Sequence, residues 1–313
     1  MQDKTLVSVV TPSFNQARFL LETLRSVELQ SHRPIHQIVI DGGSTDGTAS
    51  LLQDWAARDH GPGYSFEWIS EPDRGHADAL NKGFDRVKGD VVGWINSDDP
   101  YFDRDAVSDA VAALEAHPDV DVIHGEVAML SESGGLQMIW CFPSFDYGRA
   151  LRGYIIPQPT VFFRRCVTDK HRLDPSLKVA IDHIYWLQIG REHRFLKLPK
   201  VLAADRDHHA RISQVSKTEL SDTGKQFCAV YGGVAHPALA ARLSDAAWRT
   251  AMRLKGLAHV AAFFMGGGAR QDNLACEVWT DGFWKTAARQ LRMRVGTRTE
   301  MGAKPEEREY ASA

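Results

Sequence analysis

The sequence has few cysteines, no long apolar run and only a small net charge, and each absence excludes a class of protein. Its four cysteines are scattered without CxxC spacing, which argues against a zinc site or a disulfide framework and fits a reducing cytoplasm. No apolar run approaches the roughly 20 residues that a membrane span needs, so we expect a soluble or peripheral protein. The net charge of -3 gives no general attraction to nucleic acid, and we expect no nucleic-acid partner.

Several familiar sequence signals are also missing. The chain has no GxxxxGK[ST], which argues against a P-loop NTPase, and no GxGxxG after its first strand, which argues against a dinucleotide dehydrogenase. The glycines at 266–268 follow a helical pattern, so we interpret them as the end of a helix. Because the first residues lead directly into a strand pattern, we expect no signal peptide and a location in the cytoplasm.

The first hundred residues alternate strand and helix patterns, which predicts an α/β protein with a mostly parallel, doubly wound sheet. Strands are expected at Leu6–Thr11, Ile35–Ile40, Phe66–Ser70 and Val91–Ile95. Beyond Asp99 the order is looser, with strands expected at Val120–His124 and Phe195–Ala203 and strand-like segments at Leu136–Phe142 and Thr160–Phe163. We expect one α/β domain over residues 1–236, a helical extension over 237–296 and a flexible polar tail over 297–313.

Two adjacent carboxylates, Asp98 and Asp99, follow the predicted buried strand Val91–Ile95 and precede Pro100. The carboxyl end of a strand in an open α/β sheet is where ligands bind. Carboxylate oxygens suit Mg²⁺ or Mn²⁺, which in turn suits a diphosphate. The alternative is a solvated turn without a ligand.

Polar or glycine-rich loops follow the other predicted parallel strands too, at Thr11–Asn15, Asp41–Gly47 and Glu71–Gly75. Each loop alone could merely make a turn. Because the carboxyl ends of parallel strands lie at one edge of a sheet, all four loops together predict a single crevice. The economical interpretation is a nucleotide diphosphate held by a metal ion at the carboxylates.

Three of these segments resemble the family 2 glycosyltransferases of GT-A fold: VVTPSFN at residues 9–15, IDGGSTDGT at 40–48 and NSDD at 96–99. The segment EPDRGHADALNKG at 71–83 resembles a subset of that family, whose members commonly build bacterial surface polysaccharides and lipopolysaccharide. The resemblance covers roughly residues 4 to 220 and implies a GT-A fold, to which the helical pattern beyond about Pro237 adds a C-terminal helical extension.

The resemblance implies a nucleotide-sugar site formed by Thr11, Pro12, Asn15, Asp41, Asp73, Asp78, Asn81, Lys82, Asn96 and Asp98. In it Asp41 would hydrogen-bond the base, and Asp98 and Asp99 would be the DxD-like element that holds Mn²⁺ or Mg²⁺. Asn96 replaces the first acid of that element, so which of the two carboxylates is the principal ligand stays open. Asp73 could also only cap the helix that follows, and His76 stands where Gln is frequent in the family.

Downstream segments at 157–165 and 179–187 also resemble the family subset, in which an Asp opens a helix on the acceptor side and serves as catalytic base. Here that position is Asp182, although Ile184 stands where a second acid is often found. The alternative for Asp182 is a plain helix N-cap. In the polar segment Asp205–His209, the resemblance implies that His208 completes the metal site, and the alternative is a surface histidine.

These observations predict an inverting, metal-dependent glycosyltransferase that moves a sugar from a nucleotide-diphosphate donor, a UDP-sugar being favoured, to a hydroxyl. The acceptor would be a saccharide or a lipid-linked saccharide in bacterial polysaccharide or glycolipid synthesis. Two alternatives stay open. A nucleotidyltransferase would attack phosphorus and normally carry a basic glycine-rich loop after the first strand, and a non-catalytic nucleotide-sugar binding protein would need no base.

The C-terminal region carries five basic side chains and no acid over residues 285–298, near Trp279, Phe283 and Trp284. Aromatic and basic residues on a helix suit binding in the plane of an anionic bilayer. We therefore expect peripheral contact with the inner face of the cell membrane. The alternative is a helix packed on the catalytic domain with its basic face in water.

Overall fold

The structure, a computed structural model, describes residues 4–154, 156–211, 217–233, 239–265, 273–278 and 280–292. Its centre is an eight-stranded sheet. The strands are β1 Val7–Ser13, β2 Ile35–Asp41, β3 Tyr64–Ser70, β4 Val91–Trp94, β5 Val122–Ser131, β6 Leu136–Trp140, β7 Phe162–Arg164 and β8 Phe195–Asp207. The helices are α1 Ala17–Glu28, α2 Thr48–Ala56, α3 His76–Phe84, α4 Ala106–Ala116, α5 Tyr147–Ala150, α6 Arg165–Lys170, α7 Ile181–Ile189, α8 Lys217–Val230, α9 Leu239–Met265 and α10 Phe283–Arg292.

The sheet has the order β3-β2-β1-β4-β7-β5-β6, and β8 pairs with β5. Strands β1 to β4 are parallel to their neighbours among themselves, β8 is parallel to β5, and β6 and β7 are antiparallel to β5. The chain builds outward from β1 to β3 and then returns to the other side of β1 with β4. The switch point of the sheet therefore lies between β1 and β4, where such folds bind ligands.

Helices cover both faces of this sheet, which explains why β1 and β2 are buried along their whole length. On one face Val10, Ile38 and Trp94 pack with side chains of α3 and α7. On the other face Val9 packs with α4, and Val39 packs with α1 and α2. The predicted doubly wound α/β fold is confirmed.

Two strands extend beyond their predicted ends. Strand β5 continues to Ser131, and β8 continues through Asp205, Arg206 and Asp207, a segment that the sequence pattern placed in a loop after the strand. The cause is strand pairing, because Met129 of β5 pairs with Asp205 of β8 and the two residues that follow pair in the same register. The backbone hydrogen bonds to β5 therefore hold these polar residues in a strand.

The C-terminal helices α9 and α10 pack against β6 and its neighbours. Val260, Phe263 and Phe283 belong to an apolar cluster with Leu130 and Ile139 of the sheet. Within the described ranges, no helix is both long and apolar enough to cross a bilayer. The predicted domain boundary at 236, the glycines at 266–268, Trp279 and the tail at 297–313 lie outside the described residues, so the division into domains remains a prediction.

Candidate functional site

A cavity of about 660 Å³ lies at the carboxyl ends of β1 and β4. The structure brings all four predicted loops to it, together with the segment before α7 and the end of the segment after β8. Its lining includes Pro12, Ser13, Phe14, Gln16, Gly42, Asp73, Arg74, Gly75, His76, Asn96, Ser97, Asp98, Asp99, Gln158, Lys178, Val179, Ala180, Ile181, Asp182, Ala210 and Arg211.

Asn96 is the centre of a hydrogen-bond network on the cavity wall. Its amide nitrogen donates to Asp99 Oδ2 (3.1 Å) and to Gln158 Oε1 (2.7 Å). Its amide oxygen accepts from Trp94 Nε1 (3.1 Å) and lies 3.1 Å from His76 Nε2. A carboxylate in place of this amide could not donate to Asp99. Asn96, which stands where the family has its first acid, therefore donates hydrogen bonds to its neighbours that a carboxylate could not donate.

Asp98 accepts a hydrogen bond from His208 Nε2 at 2.8 Å. Burial acts to raise the pKa of Asp98, but the hydrogen bond and charge of His208, with the charge of Arg211, outweigh it and lower that pKa. The His208 side chain is only 1% exposed, whereas that of His209 is 82% exposed. The alternative that His208 is a surface residue is therefore wrong, because its ring packs against Phe19 inside the fold.

Asp99 lies beside Asp98 in a different electrostatic environment. It accepts from the backbone N–H of Arg206 (3.1 Å), and burial and the charges of Asp98 and Asp205 raise its pKa well above the ordinary value. Arg211 partly compensates this negative charge, because its Nη2 lies 2.5 Å from Asp205 Oδ1. Burial acts to lower the pKa of Arg211, but Asp205, Asp99 and Asp98 raise it overall.

The donor set at this point fits a divalent cation. Asp98 Oδ2 and His208 Nε2 are 2.8 Å apart, close to the about 3 Å that separates adjacent ligands of an octahedral ion with bonds of about 2.1 Å. Burial, and after it the charges of Asp98 and Asp205, raise the pKa of Asp99, and a nearby cation would favour its ionised form. The described residues contain two groups of three possible metal-ligand atoms that lie within 4.8 Å of one another. Neither group includes Asp98, Asp99 or His208. A metal here would therefore need oxygen ligands from water or substrate.

Asp182 lies in the first turn of α7 and is 5% exposed at the cavity wall. The N-cap of this helix is Ala180, so the alternative that Asp182 is the N-cap is wrong. Ala180 has a φ of 57°, a left-handed conformation that costs a non-glycine residue about 1–2 kcal/mol. The dipole of α7 favours the ionised form of a carboxylate in its first turn.

Six of the predicted nucleotide-sugar residues do not line the cavity in the part of the chain that the structure describes: Thr11, Asn15, Asp41, Asp78, Asn81 and Lys82. Asp41 is fully buried and accepts from Ser44 N (3.0 Å) and Ser70 Oγ (2.6 Å). Asn15 accepts from Thr45 N at 2.9 Å. These side chains hold the first two loops together behind the cavity.

Three more of these six residues, Asp78, Asn81 and Lys82, lie in α3 and bind neighbouring segments. Asp78 accepts from the backbone and guanidinium of Arg74, and the Arg74 hydrogen bond lowers the pKa of Asp78. Asn81 both donates to and accepts from the backbone of Leu173 (2.8 and 3.0 Å). Lys82 pairs with Glu71 at 2.8 Å. Asp73, in the loop before α3, does line the cavity. Its Oδ2 lies 2.6 Å from the position that a Cβ atom on Gly42 would occupy.

Several side chains of the cavity had no predicted role, among them Gln158, Arg211 and Phe14. Gln158 is buried and donates to Trp94 O at 2.8 Å while it accepts from Asn96. Arg211 lies two residues beyond the polar segment that pointed to His208, and Phe14 exposes 60% of its surface. Gln158 and Phe14 stand inside quoted motifs, so a search for hydrogen-bonding or aromatic side chains within those motifs could have found them. Arg211 carried no such signal.

The sequence matches the family model described as glycosyl transferase family 2 over residues 8–163. The putative teichuronic acid biosynthesis glycosyltransferase TuaG of Bacillus subtilis is 30% identical over 187 residues, which cover 59% of this chain and 72% of that relative. The chain therefore belongs to glycosyl transferase family 2. An uncharacterized glycosyltransferase of Mycobacterium tuberculosis is 38% identical over 126 residues, 40% of this chain and 46% of the relative, so this match spans about half of that protein.

Two solved structures share the fold. One is Staphylococcus aureus TarS 1-349 in complex with UDP-GlcNAc, with a TM-score of 0.57 and 18% identity, covering 72% of this chain and 66% of that one. The other is the mannosyltransferase PcManGT of Pyrobaculum calidifontis in complex with GDP-Man and Mn²⁺, with a TM-score of 0.53 and 18% identity, covering 96% and 87%. These likenesses confirm the predicted GT-A fold.

Proposed function

We propose that this chain is an inverting glycosyltransferase that moves a sugar from a nucleotide-diphosphate donor to a hydroxyl group. One observation carries the proposal: Asp98 and Asp99 line the same cavity as Asp182. A group that binds the leaving diphosphate and a group that accepts the attacking hydroxyl's proton must face one reacting carbon. Both are available within a single cavity.

The donor end of the cavity would be the loops after β1, β2 and β4. Asp98 and His208 would hold Mn²⁺ or Mg²⁺ with Asp99 beside them, and such a cation neutralises the departing diphosphate. Phe14 offers an exposed ring and Asp73 a carboxylate for contacts with the nucleotide. The presence of UDP-GlcNAc in the TarS structure and of GDP-Man and Mn²⁺ in the mannosyltransferase structure supports a donor and metal of these classes. A UDP-sugar is our favoured donor.

The acceptor end would be the segment before α7. Asp182 would take the proton from the acceptor hydroxyl, whose oxygen attacks the anomeric carbon on the face opposite the diphosphate and so inverts its configuration. Lys178 and Arg74 contribute positive charge to the same wall.

We place the reaction in the synthesis of a bacterial surface polysaccharide or glycolipid, with a saccharide or lipid-linked saccharide as acceptor. The name of the Bacillus subtilis relative supports this class of product. The enzyme would work in the cytoplasm at the inner face of the cell membrane. Helix α10 would make the contact, because Trp284 and Leu291 are 82% and 51% exposed on it.

The experiment that tests this function measures the products formed from UDP- and GDP-sugars with Mn²⁺, with and without saccharide and lipid-linked acceptors. We expect acceptor-dependent release of the nucleoside diphosphate and a glycosylated product of inverted anomeric configuration. Pyrophosphate release from nucleoside triphosphates would instead identify a nucleotidyltransferase. Binding of a nucleotide sugar without turnover across the acceptor panel would support a binding protein.

A further inference from the structure

A second cluster of potential ligands lies at the end of α7 opposite Asp182. His171 follows α6, and Glu192 and His193 follow α7. One donor atom from each of the three side chains lies within 4.8 Å of the others. None of the three lines the cavity, and the nine residues of α7, at about 1.5 Å of rise each, separate the two places by about 13 Å.

The two imidazoles of this cluster have unsatisfied nitrogen atoms. His171 is 7% exposed, and the His193 side chain is 11% exposed. The Nε2 atoms of both rings are buried and make no well-formed hydrogen bond among the residues that the structure describes; His171 Nε2 lies 3.5 Å from Glu192 Oε2, the third member of the cluster. Buried ring nitrogens are nearly always paired in proteins, so two such nitrogens in one cluster indicate a missing ligand.

Asp121 fixes the orientation of one of these rings. Its Oδ2 lies 3.0 Å from His193 Nδ1, and because a carboxylate can only accept, Nδ1 is the nitrogen that donates. The lone pair of His193 is then on Nε2, the nitrogen that is left to bind an ion. A carboxylate behind a histidine in this way is the usual outer partner of a metal-bound imidazole.

We propose that His171, Glu192 and His193 bind one divalent transition-metal ion of the zinc type, with Asp121 as the outer partner of His193. Two imidazoles and one carboxylate suit Zn²⁺, whereas Mg²⁺ prefers oxygen ligands alone. Three protein ligands leave a coordination position for water. Cysteine spacing could not reveal this site, because it contains no cysteine.

The backbone holds the ligands in place before any ion arrives. His171 N donates to Val167 O at 2.9 Å, and His193 N donates to Ile189 O at 3.0 Å. The competing cation is Lys170, which pairs with Glu192, but the two side chains are 62% and 45% exposed. Since an exposed lysine can turn into solvent, a divalent ion would displace it. The ion would tie the end of α6 to the end of the helix that carries Asp182.

The test measures Zn²⁺ binding by the tag-free full chain, stripped with a chelator and titrated in competition with a chromogenic chelator. Compared are the unchanged chain, Glu192→Gln, His193→Ala, Asp121→Asn and, as a control, His117→Ala, which removes an exposed histidine. We expect His193→Ala and Glu192→Gln to lose one tight equivalent. Asp121→Asn should keep it with about 10- to 100-fold weaker affinity. His117→Ala should bind like the unchanged chain.

Zinc bound in the cavity would be common to all these proteins, so the difference in equivalents reports this cluster alone. Thermal unfolding with and without Zn²⁺ gives a second readout, because variants that keep this site should gain more stability from the ion than variants that lose it. Should His193→Ala fail to fold, Glu192→Gln decides, since its side chain is half-exposed. Equal stoichiometry and affinity in Glu192→Gln and the unchanged chain would overturn the proposal.

Discussion

Asp182 is the residue on which the proposed chemistry depends most directly. Asp182→Asn keeps the size of the side chain but cannot accept a proton at neutral pH. The proposed contacts to donor and metal come from other residues of the cavity, so donor affinity should change little. Transfer should fall by about 10²- to 10⁴-fold, which is what general-base catalysis contributes. The measurement is the transfer rate beside the affinity for the nucleotide sugar.

Stability should change little in this variant, because Ala180 rather than Asp182 caps α7. Loss of a charge in the first turn of a helix costs about 0.3–1 kcal/mol. Asp174→Asn is the matched control, since Asp174 is an exposed acid before the same helix and lies outside the cavity lining. Near-normal transfer by Asp182→Asn would show that the base is another group.

Asn96 offers a second test at the level of one residue. Asn96→Asp removes the donor to Asp99 and Gln158 and adds a negative charge to a region already crowded with carboxylates. Without metal we expect a loss of about 1–3 kcal/mol in the free energy of unfolding, the cost of leaving buried acceptors unpaired. With Mn²⁺ the loss should shrink, because the added carboxylate attracts the cation.

The measurement is denaturant unfolding of Asn96→Asp with and without Mn²⁺. Ser97→Ala is the neighbouring control, which removes a hydroxyl from the same wall without changing charge. A metal-free Asn96→Asp protein as stable as the unchanged chain would contradict the role assigned to the Asn96 amide.

At the scale of elements, strand patterns and loop composition predicted where the cavity would form, because parallel strands place their carboxyl ends at one edge. They could not predict which way a loop side chain turns. Asp41 is expected to contact a base, which stays a prediction; what the sequence did not indicate is that Ser44 and Ser70 hydrogen-bond its carboxylate. Arg211 was missed because Asp98 and Asp99, whose charges it faces, come from a distant segment. The His171–Glu192–His193 cluster was missed because only the packed fold brings His171 and Asp121 to His193.

The packing of α9 and α10 changes how membrane binding should be tested. Removal of the chain after Pro237 would uncover the apolar cluster around Leu130 and Ile139, so truncation would damage the fold as well as any membrane contact. Substitutions on the exposed face of α10 avoid this problem, since Trp284 is 82% exposed.

We expect the chain to bind vesicles that contain anionic lipids, more weakly as salt rises, and Trp284→Ala combined with Lys285→Glu to reduce that binding strongly. The apolar ring enters the interface and the lysine contributes about 1 kcal/mol near an anionic surface. Co-sedimentation with vesicles measures the bound fraction of the protein. Val230→Ala on α8, where Val230 is 71% exposed, is the control and should bind normally. Equal recovery with neutral and anionic vesicles would exclude this contact.

For the whole molecule, buried histidines couple stability to pH. His124 in β5 is fully buried, and burial with the nearby charge of Lys197 lowers its pKa to about 3. An unfolded histidine has a pKa near 6.5, so below that pH the unfolded chain binds a proton that the folded chain refuses. The stability that His124 contributes is therefore complete above pH 6.5 and is lost as the pH falls toward 3. The loss grows by about 1.4 kcal/mol per pH unit.

His124→Leu removes this titration while keeping an apolar strand position, and neither ring nitrogen of His124 has a hydrogen-bond partner among the described residues to be lost. In urea unfolding between pH 7 and pH 4, the free energy of unfolding of this variant should depend less steeply on pH than that of the unchanged chain. The difference in slope should correspond to about one proton taken up on unfolding. The slope decides the result even if the variant is more or less stable at pH 7. His209→Leu, at an 82% exposed side chain, should leave the slope unchanged. An identical slope in His124→Leu and the unchanged chain would mean that His124 is protonated in the folded protein, with a charge inside the sheet that its neighbours must then stabilise.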